Sequence, residues 1–469
     1  MQRLYRSCYE MDRKCYEKYA LSEDILMEHA ADGIARIIRD KFKKGSSVFI
    51  AAGPGNNGAD GITLARLLHG SYRIGLWMPM GPKSDMAKLQ AARVKSLGLE
   101  PIDGPMKADV DVVVDAIFGA GLSRPLSSDI VKAVKSMNDM AGYKIACDVP
   151  TGIDEDGRLL PLAFRADMTV TMGALKESLY SDEAKDYTGE IVCVDLGVER
   201  EFYENDSDVF LLEESDFDPP IRKRSNSHKG SYGHAAVFCG EKEGAGIIAA
   251  SAASRFGVGL STLVAHEKIN PPPFLMHANS LPSRATAIAI GMGLGNHFES
   301  ESLRRDVIES ELPVILDADS FYREDLLEIL SQNEREIVLT PHPREFSAMW
   351  KILRNETLSV EEIQKNRFAA VRNFQKLFPR AVLILKGANM IVSGDDKLYV
   401  NSLGVPALAK GGSGDVLSGL VVALLAQGYS ALDAAIQGSL ALAIAAKNYG
   451  GNNYSLLPID LIEALAGIR

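Results

Sequence analysis

The run Lys410-Gly411-Gly412-Ser413-Gly414-Asp415 places glycines, a hydroxyl and a carboxylate directly ahead of an apolar stretch that reads as a helix. Glycines let successive backbone amides turn toward one point, and a helix start adds its own unbonded N–H groups. The run is therefore a candidate anion hole for phosphate or a transferring phosphoryl group. Asp415, in the first helical turn, can take the proton of a hydroxyl attacking there. A simple turn capped by an aspartate would use the same residues, but needs no such density of glycine. Other polar residues in this half stand at the ends of strand-like runs: Asp317 and Asp319 after VIL, His342 and Glu345 after IVLTP, and Lys386-Gly387 after AVLIL. Lys386 could meet a phosphate or sit solvated at its strand end. His342 and Glu345 lack the third His or Cys that zinc demands. Magnesium, held by phosphates, water and few carboxylates, fits better.

The N-terminal half has its own candidates. FIAAGPGNNGADGITLARLL (49–68) reads as strand, glycine-rich turn and a helix beginning near Asp60. Such a turn suits a phosphate or a dinucleotide. Two amides and a carboxylate, Asn56, Asn57 and Asp60, offer oxygens to a cation or partners to a sugar. Asp115 ends VDVVVD and precedes Phe118-Gly119-Ala120-Gly121-Leu122; Asp148 ends YKIACD and precedes Pro150-Thr151-Gly152. On one doubly wound sheet, Asn57, Asp115, Asp148 and Thr151 converge at the carboxyl edge. Any one of these aspartates alone is as readily a turn cap; three loops ending alike favour a site.

These residues need two scaffolds. At 469 residues the chain exceeds one ordinary core. Val/Ile-rich runs alternate with helical stretches from residue 21 to about 200, which predicts a parallel sheet covered on both faces. Ser22 is the expected cap of the first long helix, with Ile25, Leu26, His29, Ala30, Ile34, Ile37 and Ile38 on its buried face. A polar stretch with Pro219-Pro220 reads as a linker or domain edge. A second alternating series follows and closes with two apolar helices, roughly 415–427 and 431–448. No repeat links the halves, so two different α/β domains are expected, 1–212 and 213–469. The net charge of −11 argues against nucleic acid as a partner. Five cysteines without a C-x-x-C pair read as reduced thiols. The charged N-terminus and the lack of any run of ~18 apolar residues predict a cytoplasmic protein without a membrane partner.

GPGNNGADG, VDAIFGAGL, DVPTGID and VDLGV, in this order, resemble the epimerase domain of bifunctional NAD(P)H-hydrate repair enzymes. Ala59 stands where that motif usually has a second Gly. HKGSYG, GMGLG, DADS, TPHPRE, LKG and AKGGSGDVLSG resemble the dehydratase domain of the same family, so the resemblance spans nearly the whole chain. It implies a Rossmann-like doubly wound sheet fused to a ribokinase-like α/β domain. It implies repair of hydrated NADH and NADPH: exchange of the R and S forms, and ADP-dependent dehydration of the S form. Potassium would be held by Asn57, Asp115 and Thr151. The hydrated dinucleotide would meet Asn56, Asn57, Gly58, Ala59, Asp60, Gly119, Ala120, Gly121 and Leu122, with Asp148 catalytic. In the other domain it would meet Gly295, His342, Glu345 and the catalytic Asp415. ADP, with magnesium, would meet Lys386, Gly387, Ala388, Asn389, Lys410, Gly411, Gly412, Ser413 and Gly414. A homo-oligomer is implied as well. A ribokinase-like kinase of a small alcohol, with an accessory N-domain, explains residues 404–419 equally but leaves NNGAD and DVPTGID without a purpose.

Overall fold

The computed structural model describes residues 1–105, 109–265, 269–295, 304–332 and 334–469. The chain forms two compact units, Arg3–Ser207 and Asp208–Arg469, the latter joined by Met1–Gln2.

In the N-terminal unit the strands are β1 (Gln2–Tyr5), β2 (Ser47–Ala52), β3 (Arg73–Trp77), β4 (Val112–Ala116), β5 (Tyr143–Cys147), β6 (Met168–Met172), β7 (Leu175–Lys176) and β8 (Glu190–Val194). Six of them form a sheet in the order β3-β2-β4-β5-β6-β8, parallel throughout, and β1 pairs with β7. The helices are α1 (Tyr9–Tyr19), α2 (Glu23–Lys41), α3 (Asn56–Leu68), α4 (Asp85–Ser96) and α5 (Ser128–Asp139). Alternation along each strand feeds two cores. Val48, Ile50, Val112 and Val114 pack with α2, α3 and α4, while Phe49, Ala51 and Val113 pack with α5. Both faces are buried, as the unbroken apolar strands require. β2 has β3 on one side and β4 on the other, so the winding direction reverses between β2 and β4 and opens a crevice at their carboxyl ends.

Local signals were mostly readable. Ser22 caps α2 by accepting from the Ile25 amide. The start of α3 differs from expectation: it begins at Asn56, with Gly55 as its cap, not near Asp60. Gly55 has no side chain to advertise a cap, and Asp60 lies in the second turn.

The C-terminal unit holds β9 (Val209–Leu211), β10 (His234–Phe238), β11 (Leu260–Val264), β12 (Met276–Ala278), β13 (Ala287–Ile290), β14 (Val314–Leu316), β15 (Ile337–Leu339), β16 (Val382–Leu385), β17 (Met390–Gly394) and β18 (Lys397–Asn401). Their order is β12-β11-β10-β13-β14-β15-β16-β17-β18-β9. Pairing is parallel from β12 to β16, then antiparallel across β16-β17-β18. β9, which precedes the boundary drawn from the sequence at 212, pairs with β18. The main helices are α6 (Glu243–Arg255), α7 (Pro343–Arg354), α8 (Ser413–Ala426) and α9 (Ala431–Lys447). α8 and α9 are buried along nearly their whole length, as their composition predicts. A Cβ at Gly419 would lie 2.2 Å from the Ala249 carbonyl oxygen, so α8 and α6 meet backbone to backbone. Among the described residues no helix is long and apolar enough to cross a membrane.

Gly58 tests this packing. Helix propensity alone would favour alanine there by about 1 kcal/mol. Its Cβ, however, would lie 1.9 Å from the Gly53 carbonyl oxygen. We predict that Gly58→Ala destabilises the N-terminal unit by roughly 1–3 kcal/mol. A denaturant midpoint that stays or rises would contradict the close turn.

Candidate active sites

In the N-terminal unit, Asp148 follows β5 in a left-handed conformation, φ 69°, which costs an aspartate energy and marks a constrained position. Its Oδ1 accepts from Lys176 Nζ at 2.7 Å, and from the Thr171 hydroxyl and the Met172 amide at 3.3 Å each. Its Oδ2 accepts from the Ala120 amide at 3.1 Å. Burial pushes the Asp148 carboxyl up, but the Lys176 charge and these hydrogen bonds outweigh it and hold the pKa below the usual carboxylate range. Lys176 is buried and also donates to the Thr171 hydroxyl at 2.8 Å and the Met172 carbonyl at 3.1 Å. Burial lowers its pKa; Asp148 more than restores it.

Asn57 lies across Gly119 from Asp148. A Cβ on Gly119 would stand 2.8 Å from Asp148 Oδ2 and 3.1 Å from Asn57 Oδ1. Both amide atoms of Asn57 are buried without a partner. Asp115 is fully buried; it accepts from the Thr151 hydroxyl at 2.8 Å, the Thr151 amide at 2.7 Å and the Ile117 amide at 3.2 Å. Burial pushes its carboxyl up to about 6 against those hydrogen bonds. The structure thus brings together Asn57, Asp148 and the 119–120 loop, and joins Asp115 to Thr151. Asn56 turns away to Glu23. Asp60 is raised well above its usual value by burial and by Asp148, Asp12 and Glu23.

The sequence reading missed Lys176. Its signal was a lysine in the otherwise apolar run TMGALKESLY.

In the C-terminal unit the carboxyl ends of β14, β15 and β16 present Asp317, Glu345 and Lys386. Lys386 Nζ donates to Asp317 Oδ1 at 2.9 Å and stands 3.5 Å from Glu345 Oε2. The Ser418 hydroxyl donates to Asp317 Oδ2 at 2.8 Å. Burial lowers the Lys386 pKa, and the charges of Asp317 and Glu345 more than offset it. Lys386 is therefore first a partner for a buried carboxylate. Its backbone is clamped too: Arg367 donates to the carbonyls of Leu385, Lys386 and Asn389, a role the sequence did not reveal.

His342 and Glu345 form a reciprocal cap on α7. His342 Nδ1 accepts from the Arg344 and Glu345 amides at 3.1 and 3.2 Å, and Glu345 Oε2 accepts from the His342 amide at 2.8 Å. No cluster of three His, Cys, Asp or Glu able to hold a metal occurs among the described residues. The Gly295 amide donates to Asp319 Oδ2 at 2.9 Å, tying together the loops after β13 and β14.

α8 starts beside this cluster. Gly412 caps it at φ 95°, and no side chain caps its first turn. Among the described residues the Gly414 and Asp415 amides have no hydrogen-bond acceptor, so they remain free for an anion. A Cβ on Gly414 would lie 3.5 Å from Lys386 Nζ. Burial, then Asp317, with Lys386 opposing, raises the Asp415 pKa to about 6. Its carboxylate has no hydrogen bond or ion pair among the described residues. Gly411, Gly387 and Ala388 are exposed, and Lys410 Nζ reaches the Tyr454 carbonyl.

Lys176→Met would leave Asp148 buried without its cation, at a cost of about 3–5 kcal/mol. In the wild type the depressed pKa stabilises the fold above the carboxylate range and is lost as pH falls. In the variant the pKa is raised, so the deficit is largest at neutral pH and shrinks on acidification. Unfolding curves at several pH values with a constant deficit would contradict this pairing.

A family model described as NAD(P)H-hydrate dehydratase matches residues 235–466, and one described as YjeF-related protein N-terminus matches residues 23–178. The bifunctional NAD(P)H-hydrate repair enzyme Nnr of Helicobacter pylori is 40% identical over 99% of this chain and 99% of its own length. The Nnr of Coxiella burnetii is 34% identical over 98% of this chain and 97% of its own. Among solved structures, an ADP/ATP-dependent NAD(P)H-hydrate dehydratase from Bacillus subtilis, co-crystallised with ATP/Mg2+, is 25% identical and covers 55% of this chain and 96% of that one, with a TM-score of 0.46. By its full-length kinship and the two matched models, the chain belongs to the family of bifunctional NAD(P)H-hydrate repair enzymes.

Proposed function

We propose that this enzyme repairs hydrated NADH and NADPH in two reactions: the N-terminal unit exchanges the R and S hydrates, and the C-terminal unit dehydrates the S hydrate with ADP, releasing AMP and phosphate. The observation that carries the second reaction is Asp415. It is a carboxylate without a partner among the described residues, at the mouth of a helix whose Gly414 and Asp415 amides are free there, with a pKa of about 6 that leaves it ionised at neutral pH and basic enough to take a proton. It accepts the proton of the substrate hydroxyl as that oxygen bonds to the terminal phosphorus of ADP and AMP departs. The α8 amides hold the transferring phosphoryl group. Phosphate then leaves the ring carbon as the neighbouring carbon loses a proton, and the ring double bond returns. Magnesium with the nucleotide would neutralise phosphate charge, and carboxylates of the 317–319 loop suit that role.

In the N-terminal unit, Asp148 is the carboxylate nearest the reacting carbon in this reading. It is ionised and fixed, so it steadies positive charge as the hydroxylated carbon inverts. The residues present fit a monovalent cation: Asp115 is a buried carboxyl joined to the Thr151 hydroxyl, and the Asn57 amide is buried without a partner among the described residues. We place potassium with Asn57, Asp115 and Thr151, where it would supply fixed positive charge.

Hydrated NADH of both forms, incubated with ADP and Mg2+, should regain the absorbance of NADH; no recovery with ADP or ATP would sink the proposal, and a stable phosphorylated alcohol would favour a kinase instead. Asp415→Ala is expected to abolish dehydration while R-to-S exchange continues. Asp148→Ala should do the reverse, consuming the S form and leaving the R form to its spontaneous rate. Dehydration should fall as pH drops through about 6, where Asp415 takes up its proton; a flat profile there would exclude Asp415 as the base.

A further inference from the structure

The face of α1 turned toward Lys176 carries Cys8, Asp12 and Tyr16, spaced four apart and therefore stacked in one row. Cys8, at the helix start, contacts the Ala174 carbonyl at 3.9 Å, and Lys176 Nζ reaches the same carbonyl at 3.4 Å. The helix is fixed there: Met11 and Cys15 are buried with Tyr5, Leu26, Ala174, Leu196 and Tyr203. β1 lies against β7, with Tyr5 opposite Lys176. One turn beyond Cys8, Asp12 faces the Lys176–Asp148 pair.

Asp12 has a second carboxylate neighbour in Glu23, from the start of α2, and a third in Asp60, from α3; Tyr16 and Cys15 feel its charge from α1. Its carboxyl makes no hydrogen bond or ion pair among the described residues. Burial raises its pKa, Lys176 opposes, Asp148 and Glu23 add, and the result is about 6. Asp148, in the same group, is shifted down. A separate observation points to a polar guest beside Asp148: both amide atoms of Asn57 are buried there without a partner among the described residues. Two carboxyls with environments that push them apart divide the work of acid and base.

We propose that Asp12 is a catalytic residue of the epimerase, the acid that protonates the hydroxyl on the hydrated ring carbon while Asp148 faces the positive charge that forms. This assignment rests on the epimerase reading. The proton passes from Asp12 to the hydroxyl oxygen, the carbon–oxygen bond breaks, and water leaves. The lone pair of the ring nitrogen forms a carbon–nitrogen double bond, so the carbon becomes planar. Water adds to the opposite face and returns one proton to Asp12, and the electron pair goes back to nitrogen. Nothing is oxidised or reduced, and every atom is recovered.

The test uses the full-length enzyme with R hydrate, Asp12→Asn and Asp12→Glu, and ADP-dependent consumption of S hydrate as the sign that each variant is folded. Asp12→Asn should lower kcat for R-to-S exchange about 100-fold with little change in KM. It should also remove the decline expected of the wild type as pH rises above about 6. Asp12→Glu should restore part of the rate and the pH-dependent limb. Wild-type rate and profile in Asp12→Asn would overturn the assignment alone. A wild type that does not accelerate R-to-S exchange would overturn the epimerase reading and the assignment with it.

Discussion

A carboxylate shut away from water at the end of a parallel strand must find a cation or lose its charge. Both units meet that constraint in the same manner. Lys176 holds Asp148 at 2.7 Å and Lys386 holds Asp317 at 2.9 Å, each pair reinforced by a hydroxyl, Thr171 or Ser418. Around these pairs the other polar groups take their places. In each unit the lysine first fixes the charge of the carboxylate it holds.

Near each pair stands a carboxyl that escapes this neutralisation. Asp12 and Asp415 are half-buried, carry no partner among the described residues and are pushed up to about 6. Asp148, shifted down, keeps its charge; Asp12 and Asp415 can change state near neutral pH. Local fields of opposite effect thus give the same residue type two different jobs within a few ångströms of chemistry.

What the sequence disclosed depended on how local the determinant is. The glycine run before Asp415, the serine cap of α2 and the aspartates at the carboxyl ends of β4 and β5 are written in neighbouring residues and read directly. The alternating apolar runs specified parallel sheets because both faces of each strand needed cover. Lys176 was not legible, because its acceptor lies 28 residues away and only the β5–β6–β7 arrangement joins them. The pairing of Lys386 was hidden for the same reason: Asp317 is 69 residues off in the chain. The start of α3 was misplaced because a glycine cap leaves no side-chain signature. The His342–Glu345 box was local, yet its spacing satisfies a helix end as well as a ligand pair.

The backbone contact between α8 and α6 at Gly419 bears on the thermodynamics of nucleotide capture. With a peptide carbonyl only 2.2 Å from where a side chain would begin, α8 has no room to roll or slide on α6. The free amides at its start are therefore aimed before any ligand arrives. Ordering that other anion sites undergo on binding is completed here during folding. Capture should draw little on chain entropy and produce a small heat-capacity change, set by the surface the nucleotide itself covers.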